Sequence, residues 1–361
     1  MNDFAAEPAD LRAAELDAAR RVLASGWFIL GAEVEAFERE WAARCQKRHA
    51  VGVGNGLDAI AIGLRCLGIG PGDEVITTPV TAFATVLAIL QVGATPVFAD
   101  VDALALLDID SASRCLSGST RAVIPVHLYG RIADMGRWQQ FCRDKRIHLV
   151  EDCAQAHLAR WRGQVAGAFG AFGAYSFYPT KNLGARGDAG AIVTGDASLA
   201  ERAARLRNYG QRDRYRHDEA GVNSRLDELQ AAILRARLGW LDRFTADRRR
   251  IARELRGRID NPTVTPLPAA PEEEQDVHHL FVVNCPERDR LAQHLEARGV
   301  QSLVHYPIPL HRQAPCAALR KDPRGLPRAE AHAGTCLSLP CHPQLRDEEL
   351  SRIVDAVNAF R

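Results

Sequence analysis

The sequence lacks a net charge, a paired-cysteine signature and an unbroken apolar run, and each absence removes a class of function. Lys and Arg number 46 against 45 Asp and Glu, a formal charge of +1. Global charge therefore implies neither a nucleic acid nor a membrane as partner. The nine cysteines, from Cys45 to Cys341, include no C-x-x-C pair. That pattern fits reduced thiols in a cytoplasmic protein better than a disulfide framework or a zinc site, and no metal is expected. The most apolar stretch, 82–99, is broken by Gln91, Gly93 and Pro96 and does not read as a membrane span. The opening residues, M-N-D-F-A-A-E-P-A-D, show no basic segment ahead of an apolar one, so no signal peptide is expected. No G-x-G-x-x-G follows the first predicted strand, which leaves a dinucleotide fold little support. No internal repeat or low-complexity block is present.

What is there is alternation. The composition predicts a helix over 11–25 that stops at Gly26, an apolar loop G-W-F-I-L-G, and a second helix over 33–45. Strands are predicted at 50–53, 74–77, 96–99, 122–126 and 147–150, with helices at 57–67, 81–91 and 134–145 between them. Apolar strands alternating with helices define an α/β fold whose mostly parallel sheet is covered on both faces. Further on, 199–206 reads as helix, 205–217 as a basic aromatic loop, and 226–259 as one long helix with Arg248–Arg250 outward. The length suggests roughly two domains, a large one over 1–245 and a smaller C-terminal α/β domain over 246–361. A Pro-rich linker at 262–271 feeds the smaller domain, with a strand at 280–284 and helices at 289–298 and 347–360.

Three local features carry chemistry. The stretch S-F-Y-P-T-K-N-L-G-A-R-G-D-A-G-A-I-V-T, 176–194, sets Lys181 in a glycine-rich turn between two strands. A lysine held in a cleft loses its proton more easily, and the free amine attacks carbonyls; a solvated surface lysine is the alternative. Asp152 follows a predicted strand end, where ligands of open α/β sheets gather; it reads as a helix cap or as the ion-pair partner of a protonated ring nitrogen. The strand–glycine–helix junction G-N-G-L-D-A at 54–59 reads equally as a capped helix or as an anion site. Together, a lysine, a carboxylate and an anion site are the parts that pyridoxal phosphate requires.

With these stretches in view, the chain resembles the DegT/StrS-type nucleotide-sugar aminotransferases nearly end to end. The resemblance runs through G-W-F-I-L-G, N-G-L-D-A-I, V-H-L-Y-G at 126–130, E-D-C-A-Q-A-H, S-F-Y-P-T-K-N-L-G, N-S-R-L-D-E-L-Q-A-A at 223–232 and H-Y-P-I-P-L-H at 305–311. It implies the aspartate-aminotransferase-like fold of type I pyridoxal phosphate enzymes. It implies that Lys181 bonds the cofactor, Asp152 pairs with its ring nitrogen, Gln155 bonds its phenolic oxygen and Phe83 stacks on its ring. Gly56, Leu57 and Ser176 would hold the phosphate, with Asn223 supplied by the other subunit of a homodimer that shares its active sites. Trp27, Phe28 and Ile29 would otherwise lie exposed, which fits such an interface. Tyr178, His305, Tyr306 and His311 would contact substrate; the last three lie in a Pro-bounded segment that argues against a helix-face core position, and plain surface-loop residues are the alternative. Leu158 and Ala166 depart from the family's pattern beside the site.

The implied activity is transfer of an amino group from L-glutamate to a nucleotide-linked keto sugar. The forms N-G-L-D-A-I and H-Y-P-I-P-L-H are most similar to members acting at C-3 of dTDP-3-keto-6-deoxyhexoses. C-4 keto sugars and inososes are the other substrates the family offers. A regulatory pyridoxal-phosphate protein without turnover is the reading from another class, and retention of Lys181 favours the enzyme.

Overall fold

The computed structural model describes residues 2–361. Its centre is a seven-stranded sheet: β1 (His49–Val53), β2 (Glu74–Thr77), β3 (Thr95–Phe98), β4 (Thr120–Ile124), β5 (His148–Asp152), β6 (Phe172–Ser176) and β7 (Gly190–Thr194). The spatial order is β1-β7-β6-β5-β4-β2-β3. All pairs are parallel except those of β7, which runs antiparallel to both β1 and β6. The carboxyl ends of β1, β5 and β6 therefore share one edge, and Val53, Gly190 and Ser176 stand side by side in register. The central strands are buried along most of their length, as expected where helices cover both faces.

Helices α1 (Ala9–Ser25) and α2 (Ala32–Arg44) precede the sheet, α3 (Gly56–Cys66), α4 (Phe83–Gln91), α5 (Ile109–Arg114) and α6 (Met135–Lys145) cross between strands, and α7 (Ala197–Leu206) follows β7. The expected glycine stop holds: Gly26 closes α1 at φ 66°. One core packs Phe37, Trp41, Tyr175 and Phe177 under the sheet, and a second packs Ile60, Ile62, Leu64 and Phe172 on the other face.

The long helix expected over 226–259 is two helices, α8 (Glu228–Leu238) and α9 (Leu241–Arg258), broken at Gly239–Trp240. Arg248 does not face outward. It is buried, and its guanidinium donates to the carbonyl oxygens of His278, His279 and Cys341. Its charge alone would favour solvent, but backbone carbonyls from two distant segments satisfy this cation. The C-terminal domain has its own core, including Ile251, Leu255, Phe281, Leu291, Val354 and Phe360. Its sheet, β8 (Thr265–Pro266), β9 (Phe281–Asn284) and β10 (Cys336–Leu339), is antiparallel. Helices α10 (Arg288–Glu296), α11 (Pro327–Thr335) and α12 (Asp347–Asn358) complete it.

Two buried carboxylates fasten the amino-terminal helices. Glu228 accepts the amides of Gly31, Glu33 and Val34 at 2.8–2.9 Å, capping α2. Its own amide donates to Phe28 O, so the W-F-I turn and the start of α8 are stitched together. Glu15 on α1 pairs with Arg237 of α8 and, at 2.7 Å, with Arg186 of the Lys181 loop. No helix of the described residues is long and apolar enough to cross a membrane.

Candidate active site

A cavity of about 470 Å³ opens at the carboxyl edge of the sheet, lined by Lys181, Asp152, Gln155, Ser176 and Tyr178 among others. The α3 N-terminus forms one wall with Gly56 and Leu57. Asn55 caps this helix by accepting the Asp58 amide at 2.8 Å. The cap leaves the first amides of the helix free to face an anion. Gly56 cannot carry a side chain, since a Cβ there would stand 2.7 Å from Ser176 Cβ. A larger, open depression of about 890 Å³ lies along α12, lined by residues such as Arg298 and Asp347, and holds none of these groups.

Lys181 sits in a turn tied by its own amide to Tyr178 O at 2.8 Å and by Ala185 N to Phe177 O at 2.7 Å. Burial pushes its amine down to about 8, and the charge of Asp152 partly opposes that shift. Asp152 is itself buried. It accepts the Thr85 hydroxyl at 2.7 Å and the Ala154 amide at 3.0 Å. Thr81 in turn bonds Thr85 at 3.1 Å. His157, behind the lysine, donates from Nε2 to Ser176 O at 2.9 Å, while its buried Nδ1 has no partner. Burial, reinforced by Lys181, lowers this imidazole to about 3, so it is neutral.

Gln155 is locked in orientation: Oε1 accepts the Tyr129 amide at 2.6 Å, and Nε2 donates to the Tyr306 hydroxyl at 3.3 Å. Tyr306 stands on the rim of a second opening with Ile308 and Arg312. Its phenol is pushed up to about 12 by burial and by the charge of Asp152. His305 bonds Ser338 Oγ at 2.8 Å and is lowered to about 4 by burial and by Lys181.

Phe83, Asn223 and His311 are not among the residues lining the cavity. Phe83 opens α4, packed against the main core, while its neighbours Ala82, Ala84 and Thr85 line the cavity. Asn223 is exposed and bridges to Asn208, away from the cavity walls. His311 is not a non-helical surface residue. It lies in a one-turn 3-10 helix, buried edge-on to Phe98 and 2.9 Å from Glu330, because that turn packs back on the sheet. Leu158 adopts φ 64°, a left-handed conformation that glycine takes without cost. Thr85, Tyr129 and His157 escaped assignment from the sequence. For Thr85 the signal was present, since a hydroxyl one turn into the helix after β2 can reach the same strand edge as Asp152.

The three groups His127, Glu151 and Cys153 come close enough to hold a metal. The Glu151 oxygens, however, already accept the amides of Gly167, Phe169 and Gly170 at 2.7–2.8 Å.

A mixed sheet with one reversed strand, and a depressed lysine facing a buried aspartate at its carboxyl edge, define a transaminase-type fold and site. The chain belongs to the DegT/DnrJ/EryC1/StrS aminotransferase family, whose model matches residues 9–358. It is 48% identical over 362 residues to a dTDP-3-amino-3,4,6-trideoxy-alpha-D-glucose transaminase of Streptomyces venezuelae, covering 99% of this chain and 95% of that protein. The crystal structure of S. venezuelae DesV in complex with a ketimine intermediate superposes with a TM-score of 0.95 at 46% identity, covering 99% and 96%. NtdA from Bacillus subtilis with bound cofactor PMP superposes at 0.90 and 28% identity, covering 98% and 82%. The protein is an enzyme, an aminotransferase.

Proposed function

We propose that this enzyme uses pyridoxal 5'-phosphate to move the amino group of L-glutamate onto a nucleotide-linked keto sugar, at C-3 of a dTDP-3-keto-6-deoxyhexose. The observation that carries the reading is the Lys181 amine, lowered to about 8 and facing Asp152 in one cavity. The cavity suits the cofactor: a carbonyl-reactive amine, a carboxylate for a ring nitrogen, and helix amides beside Ser176 for a phosphate. A side chain at position 56 would collide with Ser176 in the corner that would take the phosphate. When bound, the cofactor supplies an aldehyde carbon that carries the amino group and a ring that accepts electrons from the breaking C–H bond.

The chain's own residues do the rest. Asp152, held by Thr85 and Ala154, would keep a proton on the cofactor's ring nitrogen. Lys181 would hold the cofactor through its amine, and the same amine, when free, would carry the Cα proton as general base and acid. Gln155 would offer its remaining N–H to the phenolic oxygen, because its Oε1 is occupied. Tyr178, half exposed on the rim, and His305 and Tyr306 meet the sugar nucleotide. The working unit is a cytoplasmic homodimer: Trp27 and Phe28 are 62% and 50% exposed and need a cover, and Asn223, exposed on this chain, would reach the neighbour's phosphate corner. The C-3 assignment is supported by similarity to a transaminase named for a sugar that bears its amine at C-3.

The test is a panel of dTDP-3-keto and dTDP-4-keto 6-deoxyhexoses and an inosose, each incubated with glutamate and assayed for amine by mass spectrometry. Amine from the 3-keto sugar is expected, whereas amine from the 4-keto sugar or the inosose alone overturns the C-3 assignment. If glutamate alters the visible cofactor band but no sugar is aminated, the acceptor class is wrong. An active monomer in sedimentation removes the shared-site dimer.

A further inference from the structure

Tyr129 lies in the V-H-L-Y-G stretch, outside the walls of the cofactor cavity, yet every polar group it has is engaged. Its backbone is left-handed, φ 63°, and Gly130 after it has φ 104°. A Cβ on Gly130 would stand 2.7 Å from the His279 amide. This tight turn delivers the Tyr129 amide to Gln155 Oε1 at 2.6 Å and its carbonyl to the Leu280 amide at 3.1 Å. The ring is buried, and its hydroxyl donates to His305 O. His332 Nε2 lies 2.8 Å from the same oxygen. The single phenolic hydrogen is already committed to His305, so His332 donates, from the tautomer protonated at Nε2.

These bonds close a ring. Tyr129 N–H holds Gln155 Oε1, Gln155 Nε2 holds the Tyr306 hydroxyl, Tyr306 follows His305 in the chain, and His305 O returns to the Tyr129 hydroxyl. The Gln155 amide cannot flip, because that would set donor against donor. The Tyr306 oxygen accepts from Gln155, so its own hydrogen is free for a ligand.

We propose that Tyr129 is a positioning residue for the acceptor half-reaction: its hydroxyl holds the 303–308 segment so that the Tyr306 phenol stays beside Gln155. The proposal rests on the transaminase reading for its kinetic consequence, and on geometry alone for its structural one. The sugar half-reaction then depends on a hydroxyl that never touches the sugar. The glutamate half-reaction does not, because the Tyr129 amide that orients Gln155 belongs to the backbone.

Tyr129→Phe tests it in the loaded enzyme. Hydrogen exchange across 303–308, read by mass spectrometry, is expected to quicken about tenfold, as for the loss of one buried hydrogen bond. With dTDP-3-keto-6-deoxyglucose as probe, KM should rise about tenfold, while the glutamate half-reaction, followed by cofactor absorbance, stays within about twofold. Adding Tyr129→Phe to Tyr306→Phe should raise KM no further, since both act through one phenol. His332→Phe, which removes the second partner, should shift exchange in the same direction by about threefold and serves if Tyr129→Phe folds poorly. Unchanged exchange at 303–308, or effects that simply add, overturns the proposal. Failure of the wild type to aminate the probe strikes at the sugar assignment instead, and the exchange measurement still decides the role of Tyr129.

Discussion

Glu151 and Asp152 are neighbours at the end of β5, and the sheet gives them opposite surroundings. Successive side chains of a strand point to opposite faces. Glu151 enters the core, where three amides and His127, at 3.1 Å, occupy its oxygens. Asp152 enters the cavity with one hydroxyl and one amide as partners, facing the lysine. Both carboxylates are buried, at 0% and 4% exposure, so burial does not separate structure from chemistry. The difference is saturation. A carboxylate whose lone pairs are filled by the fold holds the fold; one left with capacity to spare can hold a ligand.

The contrast can be broken from either side. The largest expected effect is Glu151→Gln, which turns an amide donor toward backbone N–H groups. It should cost about 3 kcal/mol of stability, read as a lowered denaturant midpoint. Any molecules that do fold should keep near-normal turnover. Asp152→Asn should do the reverse, slowing turnover roughly a hundredfold with stability within about 1 kcal/mol of wild type. Equal losses of stability in the two variants would erase the distinction. The smallest effect sharpens it: the Lys181 amine of the apo protein, titrated by its rate of condensation with added aldehyde, should show a midpoint of about 8. Condensation needs the neutral amine, so the rate rises with pH through that midpoint. In Asp152→Asn the midpoint should fall, because the carboxylate's charge raises the lysine's proton affinity. Glu151→Gln should leave it in place.

The same contrast explains what the sequence made legible. The strand ends, the glycine turn around Lys181 and the junction before α3 are local patterns, and they put Lys181, Asp152, Gln155 and Ser176 in one cavity. The reversed strand β7 beside β1 is not local. Nor is the burial of Arg248, which is satisfied by carbonyls at 278, 279 and 341. The prolines bounding its segment argued against a helical core position for His311, yet Phe98 and Glu330 come to it from distant parts of the chain. The helix break at Gly239–Trp240 was hidden because the apolar stripe continues across it. Partners far apart in sequence, more than residue type, set the limit.

The cap that Glu228 places on α2 has a consequence for recombining this chain with its relatives. The carboxylate and the three amides it serves are separated by 194–197 positions. Any crossover between 34 and 228 assigns them to different parents. A hybrid then keeps this cap only if both parents place the W-F-I turn and the α8 N-terminus at the same spacing. The two segments are best inherited together.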